Sequence, residues 1–233
     1  MILLTQNSKL KKTSKTEGKR VYNFGIPAFN SKDGFKTCPN AGACAVGCYA
    51  QAGAYRFRNV AQAFEKRLAI TLTDSFVPLV KAELIKKRVD VLRIHDSGDF
   101  YDYAYTMKWF KVMLDLPDIQ FYAYSKNVSF FKGLLLPDNF TVIYSYGGLE
   151  DKLINMHTDR HSRVFETLAE LIEAGYANTS DNDLIAIGKN PKIGLVYHGT
   201  KSFKNTNWKY QELTIKNPMV GKPGLKLVSN GEM

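Results

Sequence analysis

A chain of 233 residues, 45% hydrophobic and 12% aromatic, is long enough to bury a sizeable core and too apolar for intrinsic disorder. Its net charge of +10 suits a polyanion such as nucleic acid as partner, and equally a solvated lysine-rich surface. No apolar run approaches the ~20 residues of a membrane span, and the apolar part of MILLTQNSKLKK is too short for a signal-peptide core, so the expectation is a cytoplasmic protein without membrane contact.

Residues 1–20 carry Lys9, Lys11, Lys12, Lys15, Lys19 and Arg20 and read as a basic arm extended over the surface. Residues 21–200 read as one domain, and 201–233 as a basic C-terminal extension without a pattern that assigns it. Within the domain, Val21 to Phe29 mixes β-branched and aromatic residues and predicts a first strand, with Pro27 at its end or edge. A helix follows through Val60, Phe64, Leu68 and Leu72, then a second over Phe76 to Lys87 with Pro78 in its first turn. Val89 to Ile94 is a short apolar run of the kind buried in parallel sheets.

Tyr103, Met107, Phe110 and Leu114 mark a third helix, stopped by Pro117. Strands are predicted at Phe121 to Ser125 and Thr141 to Tyr146, with a short helix over 128–136 between them. His161 to Ala174 reads as an amphipathic helix ended by Gly175, and Leu184 to Ile187 and Ile193 to Tyr197 as two last strands. Strands alternating with helices at this spacing give an α/β fold with parallel strands: an open wound sheet, or a partial or complete (β/α) barrel. In each, ligands bind beyond the C-terminal ends of the strands, where a cysteine loop after the first strand and the segment HDSGDF after the second both emerge.

All three cysteines of the chain, Cys38, Cys44 and Cys48, fall in the loop of residues 37–53, TCPNAGACAVGCYAQAG. Three clustered thiols in a reducing compartment point to a metal or cluster more than to scattered core residues. A four-iron cluster held by three thiolates keeps one iron open to another ligand. Ala41, Gly42, Ala43, Ala45 and Gly47 let such a loop wrap closely, and a helix starting near Tyr49 would turn its positive end to the cluster. Zinc is the rival; it normally takes four ligands, and the loop holds no histidine, leaving His95, His157, His161 or His198 as distant fourth partners.

The TCPxAGxCxxxCYA loop, preceded by Asn7-Ser8-Lys9 and followed by RIHDSGDFY (Arg93 to Tyr101), resembles the phage-encoded gene product 88 family, over roughly residues 5–150. That family is similar to radical S-adenosylmethionine proteins, which share a partial or complete βα barrel. The resemblance implies a [4Fe-4S] cluster on Cys38, Cys44 and Cys48, with S-adenosylmethionine as a further cofactor on the open iron. It implies that the HDSGDF turn holds the cofactor's amino group through Asp96, Ser97 or Asp99, with Tyr49, Gly98, Ser125 and Ser145 as further cofactor-binding residues, an electron donor as partner and host cytoplasm as location. The chain departs from the usual C-x3-C-x2-C spacing: its gaps are five and three, and the aromatic, Tyr49, follows the last cysteine instead of preceding it.

Alternation along the second strand predicts that Arg93 and His95 face the cleft while Leu92 and Ile94 pack on helices. His95 beside Asp99 then reads as a general acid/base or an iron ligand, against the alternative of a hydrogen-bonded structural histidine. Asp96, Asp99 and Asp102 are also good turn and N-cap residues. Ser125 and Ser145, at the ends of the third and fourth strands, are expected to line the same cleft, as are Tyr122, Tyr124 and Tyr146. No GxGxxG, GxxxxGK[ST], HExxH or GxSxG element occurs. Three functions stay open: an iron–sulfur enzyme acting on an unidentified small or macromolecular substrate, an iron–sulfur electron-transfer or sensing protein, and a zinc-stapled nucleic-acid-binding module.

Overall fold

Among the described residues, parallel strands form one curled half-barrel sheet in the order β1-β2-β3-β4-β5-β7-β6. They are β1 (Val21–Phe24), β2 (Val91–Ile94), β3 (Gln120–Ser125), β4 (Phe140–Ser145), β5 (His161–Phe165), β6 (Ala177–Asn178) and β7 (Lys192–Val196). The structure is a computed structural model that describes residues 2–197; the basic C-terminal extension of 201–233 and His198 lie outside the described residues.

Helices α1 (Ser8–Glu17), α2 (Arg58–Thr71), α3 (Phe76–Lys86), α4 (Tyr103–Asp115), α5 (Val128–Lys132) and α6 (Leu168–Glu173) complete the fold. Pleating sorts each strand onto two faces. Leu92, Ile94, Phe121, Ala123 and Phe140 face outward onto Phe76, Val80 and Leu84 of α3 and Trp109, Phe110 and Met113 of α4. Val21, Val91, Tyr122, Ile143 and Ile193 face inward, where Leu10 of α1 and Ala186 complete a smaller cluster. No helix of the described residues is long and apolar enough to cross a membrane.

Three sequence expectations are corrected. The N-terminal segment is a helix, not an extended arm. Asn7 Oδ1 accepts from Leu10 N–H at 2.9 Å and caps α1, and Gly18 ends it at φ 63°. Leu10 and Thr13 form its buried face, too narrow to show as periodicity in a lysine-rich stretch. Ahead of it Thr5 pairs with Asn23 on the free edge of β1, N–H to O at 2.9 and 2.8 Å.

The second correction is at His161 to Phe165, which is strand β5 and not the first turns of a helix. The helix starts only at the capping box of Thr167 and Glu170, and Gly175 ends it with φ 76° as expected. Val164, Leu168 and Leu171 had helical spacing by accident of a strand running into a helix. Third, Asp183–Ile187 is a 3-10 turn, not a strand. It packs with α1 and β6, so that α1 and this turn bridge the two free edges of the half-barrel.

Candidate cysteine-loop site

The cysteine loop leaves β1 and is laid over the C-terminal ends of its neighbours. Thr37 anchors its start: its hydroxyl donates to Pro27 O at 2.7 Å, its N–H to Phe29 O at 3.0 Å, and its carbonyl accepts from Asp99 N–H at 3.0 Å. Farther along, Gly42 N–H and Cys44 N–H both donate to Gly147 O, at 3.1 and 3.0 Å, and Leu149 N–H donates to Asn40 O at 2.9 Å. Asn40 also donates to Asn127 Oδ1 at 2.8 Å. A Cβ at position 42 would lie 2.9 Å from the Gly148 carbonyl carbon, so only glycine lets the loop dock on the end of β4. The signal for this docking in the sequence is the pair Gly147-Gly148, about a hundred residues from the loop it receives.

The three thiols are free and partly exposed. Burial pushes the Cys38 thiol up to about 12, helped by the neighbouring Asp99 charge, while Phe29 N–H approaches its Sγ at 3.4 Å. Burial also raises Cys48, against hydrogen bonds from the Ala50 and Gln51 backbone. Among the described residues no group of three or more His, Cys, Asp or Glu side chains is gathered closely enough to hold a metal ion.

The HDSGDF turn meets the loop, but not through its histidine. His95 has a left-handed backbone, φ 63°, which breaks the alternation of β2 and aims the ring outward. Its Nε2 lies 2.8 Å from the Tyr105 hydroxyl of α4, and its ring packs edge-on against Phe100 and Phe24. Burial lowers its pKa to about 3. The expected acid/base or ligand position in the cleft is thus corrected to a place in the helix layer.

Asp99 does reach the loop, as a fastener. Its carboxylate accepts from Phe100 N–H at 2.8 Å, Ser125 Oγ at 2.8 Å and Lys126 N–H at 2.9 Å, while its own N–H holds Thr37. Burial raises its pKa against those donors. The following helix is capped by Asp102, whose Oδ1 accepts from Tyr105 N–H at 2.7 Å. Gly98 adopts φ 85°, and a Cβ there would strike Ile26 Cγ1 at 2.3 Å.

Asp96 and Ser97 are buried just beyond β2. Ser97 Oγ has no hydrogen-bond partner; the Asp96 carboxylate packs against Gly25, where a Cβ would lie 2.1 Å from Oδ1, and accepts from the Tyr55 hydroxyl at 3.4 Å, and burial raises its pKa. Tyr49, next to Cys48, donates its hydroxyl to the Asp96 carbonyl and accepts from Arg93 at 3.4 Å. Its ring is half exposed, while its hydroxyl is withdrawn from solvent, which lifts the phenol to about 12. Arg93 faces inward as alternation requires, 5.0 Å over the Tyr124 ring.

Two participants were missed. Asp183, just before the run Leu184 to Ile187 that read as a strand, is fully buried with its carboxylate paired to Lys9 and to Arg93 at 3.3 Å, and bonded to the Tyr122 hydroxyl. Burial alone would raise its pKa, but Arg93 and Lys9 outweigh this and hold it at about 2. Lys126 follows β3, and its Nζ donates to Ser145 Oγ at 3.0 Å. Burial opposes its charge, yet Cys44, Asp99, Asp151 and Cys38 around it keep its pKa above the ordinary lysine value. Ser125 and Ser145 are therefore at the site, each through a neighbour rather than by lining open space. His161, bonded to the Tyr176 hydroxyl at 2.8 Å, and exposed His157 are not gathered with the thiols.

The model of the family described as Gene product 88 matches residues 1–209 of this chain. The Gene 88 protein of Mycobacterium phage L5 is 34% identical over 120 residues, which are 45% of this chain and 47% of that protein. The Gene 88 protein of Mycobacterium phage D29 is 32% identical over the same shares. The chain thus spans about half the length of these curated relatives. No solved structure matches. With its family model matched from the first residue through the cysteine loop, the HDSGDF turn and Asp183, the chain belongs to the Gene product 88 family.

Proposed function

We propose that Cys38, Cys44 and Cys48 hold an iron–sulfur cluster at the mouth of the half-barrel. The observation that carries this reading is one three-thiol loop docked across strand ends, beside Tyr49, Arg93, Asp96 and Ser97. Partly desolvated thiols such as Cys38 and Cys48 are poor thiolates unless a cation compensates them, and a cluster supplies that charge. The sulfur-only donor set fits iron–sulfur chemistry, and three sulfurs leave one iron open. A single zinc ion asks more: sulfurs within about 4 Å of each other and a fourth ligand. His95 and His161, turned to Tyr105 and Tyr176, are poorly placed to give it.

When bound, the cluster supplies a one-electron couple and an open coordination position. The chain's residues then divide the work. Asp99 and Thr37 fix the loop to β2 and β3, Gly42 fixes it to β4, and Tyr49 closes the interior against solvent. Ser97 Oγ and the Arg93 guanidinium offer polar groups to a small molecule at the open position. In the enzyme version that molecule is S-adenosylmethionine, cleaved reductively, with an electron donor as partner. In the electron-transfer or sensing version it is a solute, and the outward turn of His95 favours a solute over a histidine as the last ligand. Either version suits the host cytoplasm, which keeps thiols reduced.

Protein purified and reconstituted without oxygen should be brown, carry iron and sulfide in equal amounts, and lose both in Cys44→Ser. Wild-type protein that retains neither iron nor sulfide sinks the proposal. If the cluster forms, 5′-deoxyadenosine on adding reductant and S-adenosylmethionine selects the enzyme version. An unchanged electron paramagnetic resonance spectrum on adding S-adenosylmethionine selects the other.

A further inference from the structure

We infer that Lys126 is a positioning residue of the cysteine loop, its ammonium held beneath the loop as the counter-charge to the ligating thiolates. The inference rests on the cluster reading and names what tunes that site. Lys126 is fixed at three points. Its N–H donates to Asp99 Oδ2 at 2.9 Å, its Nζ donates to Ser145 Oγ at 3.0 Å, and its side-chain stem passes under Gly148, where a Cβ would lie 2.9 Å from Lys126 Cβ. Gly148 is bridged to Ala41 of the loop, and Gly147 accepts from Cys44 N–H. The stem is thus clamped between the end of β3 and the segment on which the loop rests.

The groups facing this ammonium are the thiols of Cys44 and Cys38 and the carboxylates of Asp99 and Asp151. Asp99 accepts from three donors already, and Asp151 accepts from Gly147 and Gly148 N–H at 2.8 to 3.0 Å. A cluster on three thiolates is net negative, and reduction adds one more negative charge. A fixed positive charge in a low-dielectric site favours the reduced form and holds the assembly in place. The next residue supports this geometry: Asn127 donates to Phe100 O at 2.6 Å, so the chain after β3 has little freedom to swing Lys126 away.

The test uses full-length protein reconstituted anaerobically as wild type, Lys126→Met, Lys126→Arg and Ser145→Ala. Lys126→Met is expected to show a more negative midpoint potential in a redox titration and to lose iron to a chelator several-fold faster, while Lys126→Arg stays near wild type. Ser145→Ala, which frees the ammonium without removing it, is expected to fall between, and it decides the question should Lys126→Met fail to fold. Lys126→Met and Ser145→Ala with wild-type potential and wild-type iron retention overturn the inference while leaving the cluster proposal standing. A wild-type protein without a cluster overturns both.

Discussion

At the residue scale, buried ionisable groups decide what each position does, and the two inward and outward neighbours on β2 show how. Alternation placed Arg93 correctly, because its strand geometry is regular up to Ile94. It failed one residue later at His95, whose φ of 63° no composition rule announces. The consequence is measurable. His95 titrates near 6.5 when unfolded and about 3 when folded, so the unfolded chain binds the extra proton between these values. Its stabilising contribution is therefore complete above pH 6.5 and is lost as pH falls towards 3, at about 1.4 kcal/mol per pH unit. His95→Asn, which tolerates the left-handed backbone, should flatten the dependence of urea stability on pH between 4.5 and 6.5. An equally steep dependence in the variant would refute the assignment.

At the element scale, the strands and helices that carry strong apolar patterns were legible: β2, β3, β4, β7 and α2 to α4 all lie where periodicity put them. The failures have separate causes. A lysine-rich stretch hides the narrow buried face of α1, and β5 runs into α6 with helical spacing. The 3-10 turn of Asp183–Ile187 is set by its buried carboxylate: Asp183 ties Lys9 of α1 to Arg93 of β2, and its N–H donates to Thr13 Oγ1 at 3.0 Å. Asp183→Asn leaves two cations facing each other in a buried site, and removal of one partner from such a set costs on the order of 3–5 kcal/mol. The expected result is a much lower urea midpoint with unchanged slope at neutral pH. The difference from wild type should shrink on acidification, since a carboxylate held at about 2 loses its contribution as pH falls from 3.8 through that value. A variant within 0.5 kcal/mol of wild type at pH 7, on the scale of an ordinary surface change, contradicts this role.

At the scale of the molecule, the fold and the candidate site are separable. The residues packed in the three hydrophobic clusters come from the strands, the helices and the flanking segments, and none from residues 37–57. The cysteine loop is held instead by hydrogen bonds to the ends of β2, β3 and β4. This also explains why the loop was readable as a site but not in its docking: grouped thiols are a chemical signal, whereas Gly147, Asn127 and Lys126 acquire meaning only when the half-barrel brings their strand ends together. A site hung on a finished barrel does not nucleate it, unlike a zinc finger, where metal binding is folding. Metal-free wild type and Cys44→Ser should accordingly melt within a few degrees of each other by circular dichroism, since 1 kcal/mol shifts a domain of this size by about 2–4 °C. The variant should lose iron binding with its far-ultraviolet spectrum unchanged. If instead Cys44→Ser unfolds in the absence of any metal, the loop belongs to the core of the fold, and the division between barrel and site drawn from these contacts is wrong.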